Sequence, residues 1–184
     1  MRVTKLFLCG ALLSAPALAK PKVADVDNPI PKNEQVEVKN ARGADAAKSD
    51  LTVPERKFVE RAASDDIAEI ELSRLALDKS RDPEVRNYAQ TVIDDHKRSL
   101  DELKKLANDQ KFPLPTAATS QAEVQYAQLS KLDGERFDRE FKKLMDKRHA
   151  AAIATYEKAS KETQHPDLKS YADKTLPTLK GEKK

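Results

Sequence analysis

From Thr52 onward the apolar positions recur at steps of three and four, the spacing of one face of an α-helix. The first run carries Phe58, Val59, Ala62, Ala63, Ile67, Ile70 and Leu77. Thr52 is placed to cap it, and Pro54 falls in the first turn, where its missing N–H costs nothing. The run stops around Lys79-Ser80-Arg81, and Asp82-Pro83-Glu84 restarts a helix with Asp as cap and Pro at its first position. So short a connection predicts an antiparallel hairpin. The second stripe holds Val85, Ala89, Val92, Ile93, His96, Leu100, Leu103 and Leu106, and ends before the extended Phe112-Pro113-Leu114-Pro115.

A short helix is expected over Gln121 to Lys131, and Gly134 then breaks or kinks the path. A third long helix runs from about Glu135 to Lys161 with Phe137, Phe141, Leu144, Met145, Ala152, Ile153 and Tyr156 inward. His165-Pro166-Asp167 marks another reversal. The fourth helix carries Leu168, Tyr171, Ala172, Leu176 and Leu179, with a kink expected at Pro177 and fraying from Gly181. The fold class read from this pattern is all-α: an antiparallel four-helix bundle with an extra short helix before helix 3. Its expected bounds are 52–180, with 181–184 as a frayed tail.

The N-terminus has a different pattern. Arg2 and Lys5 precede an apolar stretch from Leu6 to Leu18, and Ala17-Leu18-Ala19 is a small-x-small cleavage site. At about 1.5 Å per residue that stretch spans roughly 20 Å, short of a bilayer core of about 30 Å. Residues 1–19 therefore read as a cleaved signal peptide and the protein as exported to the periplasm, with outer-membrane association open. Residues 20–51, with Pro21, Pro29 and Pro31 and no apolar period, read as a flexible leader. Cys9 leaves with the signal, so the mature chain has no disulfide or thiolate chemistry.

Composition narrows the function classes. The 184 residues include 34 Lys and Arg, 31 Asp and Glu, 5 Phe, 4 Tyr, no Trp and only 4 Gly. Four scattered glycines exclude a Gly-rich phosphate loop. The charges of both signs are interspersed, as on solvated helix faces, and there is no basic stripe with stacking aromatics to suggest a nucleic-acid partner. No segment after the signal has 18 uncharged apolar residues, so no later membrane span is expected.

Several short stretches, in order, resemble the bacterial family named domain of unknown function 4142. They are Ala68-Glu69-Ile70-Glu71 with Leu75-Ala76, and Val85-Arg86-Asn87-Tyr88-Ala89 with Asp95-His96. Gly134 with Phe137-Asp138, Met145 with His149, and Leu176-Pro177-Thr178-Leu179 complete the set. The resemblance covers about Phe58 to Leu179 and implies a ferritin-like bundle and export, with no settled activity. One departure stands out. In the family the Leu-Pro-x-Leu segment leads to a histidine three residues on, and here that position is Glu182.

His96 and His149 lie within apolar stripes, and Glu69 borders the stripe of helix 1. Counted from the turn near Arg81, Glu69 lies about 18 Å down helix 1 and His96 about 22 Å down helix 2. From the turn near His165, His149 lies about 24 Å down helix 3, and Glu182 about 25 Å along helix 4 if that helix is continuous. These heights nearly coincide. Two imidazoles and a carboxylate at one level could hold Zn(II), Fe(II), Cu(II) or Mn(II), with Asp95 or Asp146 orienting a ring. The alternative is that the two histidines are core residues hydrogen-bonded to Glu69 or to tyrosine hydroxyls.

A di-iron site needs Glu-x-x-His on two helices. Ile93 stands three before His96, and Asp146 three before His149, so that pattern is incomplete. His165 reads as part of a helix cap, and Tyr88, Tyr126, Tyr156 and Tyr171 as packing residues. No catalytic constellation is apparent. The first expectation is a non-enzymatic accessory protein of the envelope with an unidentified protein partner and no cofactor. A metal-binding or storage bundle through Glu69, His96 and His149 comes second, and a carboxylate-bridged oxidase last.

Overall fold

A computed structural model describes residues 49–182; the expected signal peptide and all but the last three residues of the expected leader lie outside them. Five α-helices follow in order: α1 (Val53–Lys79), α2 (Pro83–Asp109), α3 (Ser120–Leu129), α4 (Gly134–Glu162) and α5 (Pro166–Glu182). No strand occurs among the described residues. None of the helices there is long and apolar enough to cross a membrane.

The helix starts follow from local chemistry. The Thr52 hydroxyl accepts from the Glu55 amide, and the Glu55 carboxylate accepts from the Thr52 amide at 2.8 Å, a reciprocal capping box. Asp82 caps α2 by accepting from the Glu84 amide at 2.8 Å, with Pro83 at the first position. Thr119 caps α3 through the Ala122 amide. At the end of α2 the chain turns through Lys111 at φ 55°, and the Phe112 amide reaches back to the Ala107 carbonyl at 3.0 Å. This is the Schellman arrangement, built on a residue with a Cβ where glycine is usual.

α1 and α2 form one hairpin and α4 and α5 another. At the end where α1 stops and α2 starts, Lys79 bonds the Leu132 carbonyl and Asp133, so α4 begins there too. Ten connector residues and α3 climb the outside of the bundle between the two hairpins. The pairs in lateral contact are α1–α2, α4–α5, α1–α4 and α2–α5. Each long helix is thus antiparallel to both neighbours, with α1 diagonal to α5 and α2 diagonal to α4.

The interior is divided. One apolar cluster, toward the α4–α5 turn, gathers Val59, Ala63, Leu103, Leu106, Tyr156, Leu168, Tyr171 and Leu179. The other, toward the α1–α2 turn, gathers Leu72, Val85, Ala89, Val92, Phe137, Phe141 and Met145. Burying each large side chain contributes about 1.5–3 kcal/mol.

Three expectations shift. The leader boundary at 51 falls inside packed structure: Leu51 is 2% exposed, and Ser49 and Asp50 bond Gln110 at the C-cap of α2. Ile67 and Leu77 are only partly buried, whereas Leu72, Leu75 and Ala76 fill the core. The tail expected to fray from 181 is helical through Glu182, whose side chain is held inside the bundle. The side-chain direction of Gly181 faces open space, and helical hydrogen bonding continues past Pro177.

Candidate metal centre

Between the two apolar clusters lies a polar layer with one residue from each long helix. Glu69 of α1 follows Ala62 by seven residues and precedes Ala76 by seven, two turns each way, so all three share a face. His96 of α2 continues the Val85–Ala89–Val92 stripe, and His149 of α4 follows Met145 by four. Glu182 follows Leu179 by three on α5. The residues expected at one height do meet, and Glu182 joins them. The carboxylates come from one diagonal of the bundle and the imidazoles from the other.

The donor atoms converge tightly. Glu69 Oε2 lies 2.7 Å from His149 Nε2 and 3.1 Å from His96 Nε2. Glu182 Oε2 lies 3.6 Å from each of the same two nitrogens. The imidazole rings are nearly parallel, with centroids 6.0 Å apart and an interplanar angle of 8°. Glu69 is 2% exposed, His149 0%, and His96 and Glu182 5% each. Metal–ligand bonds of about 2.0–2.2 Å at tetrahedral angles set neighbouring donors roughly 3.3–3.6 Å apart. Three of the four contacts fall near that spacing, and the 2.7 Å pair has a hydrogen-bond length.

Two of these residues have ionic neighbours but no well-formed hydrogen bond at the central atoms. His96 Nε2 and both carboxylate oxygens of Glu182 are buried and make no hydrogen bond within the protein. Such groups cost about 1–3 kcal/mol each, more when charged. Glu69, His96 and His149 each offer a donor atom within 4.8 Å of the other two, and a cation there would also lie near Glu182 Oε2, 3.6 Å from both Nε2 atoms. A small cavity of about 20 Å³ adjoins Asp66, Glu69 and His96, room for an occupant the size of one water.

Side chains around the layer hold its members. His96 Nδ1 donates to Asp66 Oδ1 at 2.8 Å, which turns Nε2 toward the centre. Tyr88 bridges to His149 Nδ1 at 3.3 Å and packs edge-on against the same ring. Arg148 spans Glu69 Oε1 at 3.3 Å, Asp65 Oδ1 at 3.2 Å and Gln125 Oε1 at 3.1 Å, tying α1, α3 and α4 together. The Ser99 hydroxyl, Tyr171 and Tyr156 form a chain with 2.7 Å links just beneath.

Burial opposes every charge here. For Glu69 it is outweighed by the positive charge of His96 and the hydrogen bond from His149, which hold the carboxyl well below its usual range. Burial would also lower His96. The negative charge of Glu69, with Asp66 and Glu182, overturns that and raises it well above 6.5. Asp66 moves the other way: desolvation raises it despite its bond to His96. Burial likewise pushes the Tyr88 phenol up, reinforced by Glu69 and Glu182.

Neither residue expected to orient a ring does so. Asp95 lies one step past the inward face of α2 and pairs with Arg98. Asp146 makes no bond to His149, whose Nδ1 faces Tyr88 instead. Asp66 fills that role for His96, and its position three residues before Glu69 was a readable signal. Tyr88, Tyr156 and Tyr171 do more than pack, since each hydroxyl is engaged. His165 lies far from the layer, its Nδ1 accepting from the Leu168 amide at the start of α5, as a cap.

Comparison with known families finds that the model for the domain of unknown function DUF4142 matches residues 40–184. The chain belongs to the DUF4142 family. Comparison with curated protein sequences finds no match. Among solved structures, a DUF305 fragment from Deinococcus radiodurans is similar at TM-score 0.64 and 21% identity, covering 72% of this chain and 91% of that one. A DUF305 protein from Streptomyces coelicolor, described as secreted, is similar at TM-score 0.63 and 16% identity, covering 75% and 90%. CopM in its Cu(II)-bound form is similar at TM-score 0.61 and 22% identity, covering 70% and 90%. At these identities the likeness establishes a shared helical-bundle fold.

Proposed function

We propose that this DUF4142 protein is an exported, non-enzymatic bundle that binds a divalent transition-metal ion through Glu69, His96, His149 and Glu182. The observation that carries the reading is the convergence of four donors from four helices, with His96 Nε2 and both Glu182 oxygens buried and unbonded. Two imidazoles and two carboxylates suit Zn(II), Cu(II), Fe(II) or Mn(II); Cu(I) favours thiolate or thioether sulfur. A similar bundle, CopM, has been crystallised with Cu(I), Cu(II) and Ag. That supports metal handling as a use of the fold while the donor set argues for a divalent ion here.

A binding role is favoured over catalysis because each of the four donors is 5% exposed or less, which leaves no place for a substrate beside an ion held between them. Export rests on Arg2, Lys5, the Leu6–Leu18 stretch and Ala17-Leu18-Ala19, and agrees with the secreted description of the Streptomyces coelicolor neighbour.

The test is equilibrium loading of chelator-stripped protein beginning at Lys20, without a histidine tag, with Zn(II) and with Co(II) as a visible reporter. The expected result is one ion per chain, lost in the His96→Ala/His149→Ala double variant and weakened in Glu182→Gln. Metal-free protein that resists loading, or a double variant that loads like the parent, would overturn the proposal.

A further inference from the structure

Two grooves approach the buried donors, on opposite faces of the bundle. The first lies between α2 and α5, has a volume of about 670 Å³, and is lined by Glu84, Asn87, Tyr88, Thr91, Asp95, Thr178, Gly181 and Glu182. Its inner residues touch the metal layer directly: Glu182 is one of the four donors, and Tyr88 contacts His149. Three carboxylates line it and no Lys or Arg does, although Asp95 shares its charge with Arg98. The buried Glu182 carboxylate at its inner wall makes no close hydrogen bond, its nearest partners being the two Nε2 atoms at 3.6 Å.

The second groove, between α1, α3 and α4, has about 160 Å³ and reaches Glu69. Arg61, Lys147 and Arg148 line it together with the carboxylates of Asp65 and Glu69, to which Arg61 and Arg148 are already paired. Arg148, whose side chain is only 11% exposed, lies across it with its guanidinium on Glu69, Asp65 and Gln125. A cation arriving on this face meets three cationic side chains against two carboxylates already paired with them, and Arg148 as a bonded stopper.

We propose that divalent cations reach and leave the four-donor layer through the α2–α5 groove, meeting Glu182 first, while Arg148 closes the opposite face. The inference rests on the metal-binding reading above and adds the route. Clefts lined by one sign of charge raise the local concentration of the opposite ion and its on-rate. The ion sheds water against Glu182 and then against the two Nε2 atoms, and the protons those nitrogens share with Glu69 leave to solvent with the shed water.

The experiment compares Co(II) uptake, followed by visible absorbance in a stopped-flow instrument, with release into excess chelator, for full-length mature protein and three variants. Thr91→Trp fills the α2–α5 groove from an exposed position. It should slow uptake and release together by about tenfold or more, leaving affinity within about threefold. Asn87→Trp, one turn earlier, should give the same block if Thr91→Trp does not fold. Ala151→Trp, filling the Arg148 groove, should leave both rates unchanged. Tryptophans in the α2–α5 groove that leave the rates within about twofold, or an Ala151→Trp that slows them, would overturn the route. Parent protein that binds no Co(II) at equilibrium would instead remove the metal-binding reading, and the route with it.

Discussion

Replacing Glu69 by Gln tests the electrostatics of the polar layer without any metal. Glu69 is 2% exposed, and its carboxylate faces His149 Nε2 at 2.7 Å, His96 Nε2 at 3.1 Å and Arg148 Nε at 3.3 Å. A glutamine of the same shape offers one acceptor and turns an NH₂ toward either a ring nitrogen or the guanidinium, donor against donor. Removing one partner from a buried ionic network costs about 3–5 kcal/mol. Total stabilities are about 5–15 kcal/mol, so the change takes a large share. At about 2–4 °C per kcal/mol for a chain of this size, Tm should fall by roughly 6–20 °C.

The pH dependence has a definite sign. Glu69 has a lowered pKa when folded, so its contribution is present above about 4.5 and lost as pH falls below that. His96 has a raised pKa when folded, so its contribution is complete below about 6.5 and lost as pH rises through the raised value. The gap between parent and variant should be widest between those limits. The assay is urea unfolding of chelator-stripped protein at several pH values. A gap under about 1 kcal/mol at pH near 5.5, or one that widens steadily toward alkaline pH, would refute the reasoning.

Metal loading should show the opposite trend, because His96 must release a proton to coordinate: affinity should fall as pH is lowered, and calorimetry in buffers of different ionisation enthalpy should report protons released on Zn(II) binding. Lys111→Gly should stabilise the protein by about 0.5–1 kcal/mol in urea titrations, since Lys111 holds φ 55° at the end of α2. Glu55→Ala removes the acceptor for Thr52, Thr163 and the Gln164 and His165 amides, and should cost about 1–2 kcal/mol at neutral pH. Against desolvation, bonds from Thr163 and Thr52 hold Glu55 at about 2, so the penalty should fade as pH drops from about 4.5 toward about 2.

The helices were legible because their ends are written in local chemistry. Thr52 with Pro54 and Glu55, and Asp82 with Pro83, announce starts that no tertiary contact has to supply. The heights of Glu69, His96 and His149 followed from rise per residue alone. Asp66 was readable from its three-residue spacing to Glu69 but was hidden in the Asp65-Asp66 pair, where one carboxylate faces out and the other in. Arg148 was not readable: it sits next to His149, about 100° around the helix, and reaches Glu69 only through a long side chain. Glu182 was obscured by Pro177 and Gly181, which argue locally against a helix that packing on α2 and α4 sustains.

The division of the interior also bears on how the four helices find their alignment. Apolar faces are forgiving: slide one helix by a turn of about 5.4 Å and leucine still meets leucine. The charged plane is not. Moving α1 by one turn toward the α1–α2 turn would carry Glu69 into the company of Val92, Phe141 and Met145 and leave His96 and His149 facing Asp65 instead. Four residues that meet at a single setting act as an index mark for the whole assembly. The same atoms arranged to receive an ion therefore also select one stacking of the helices over its near neighbours.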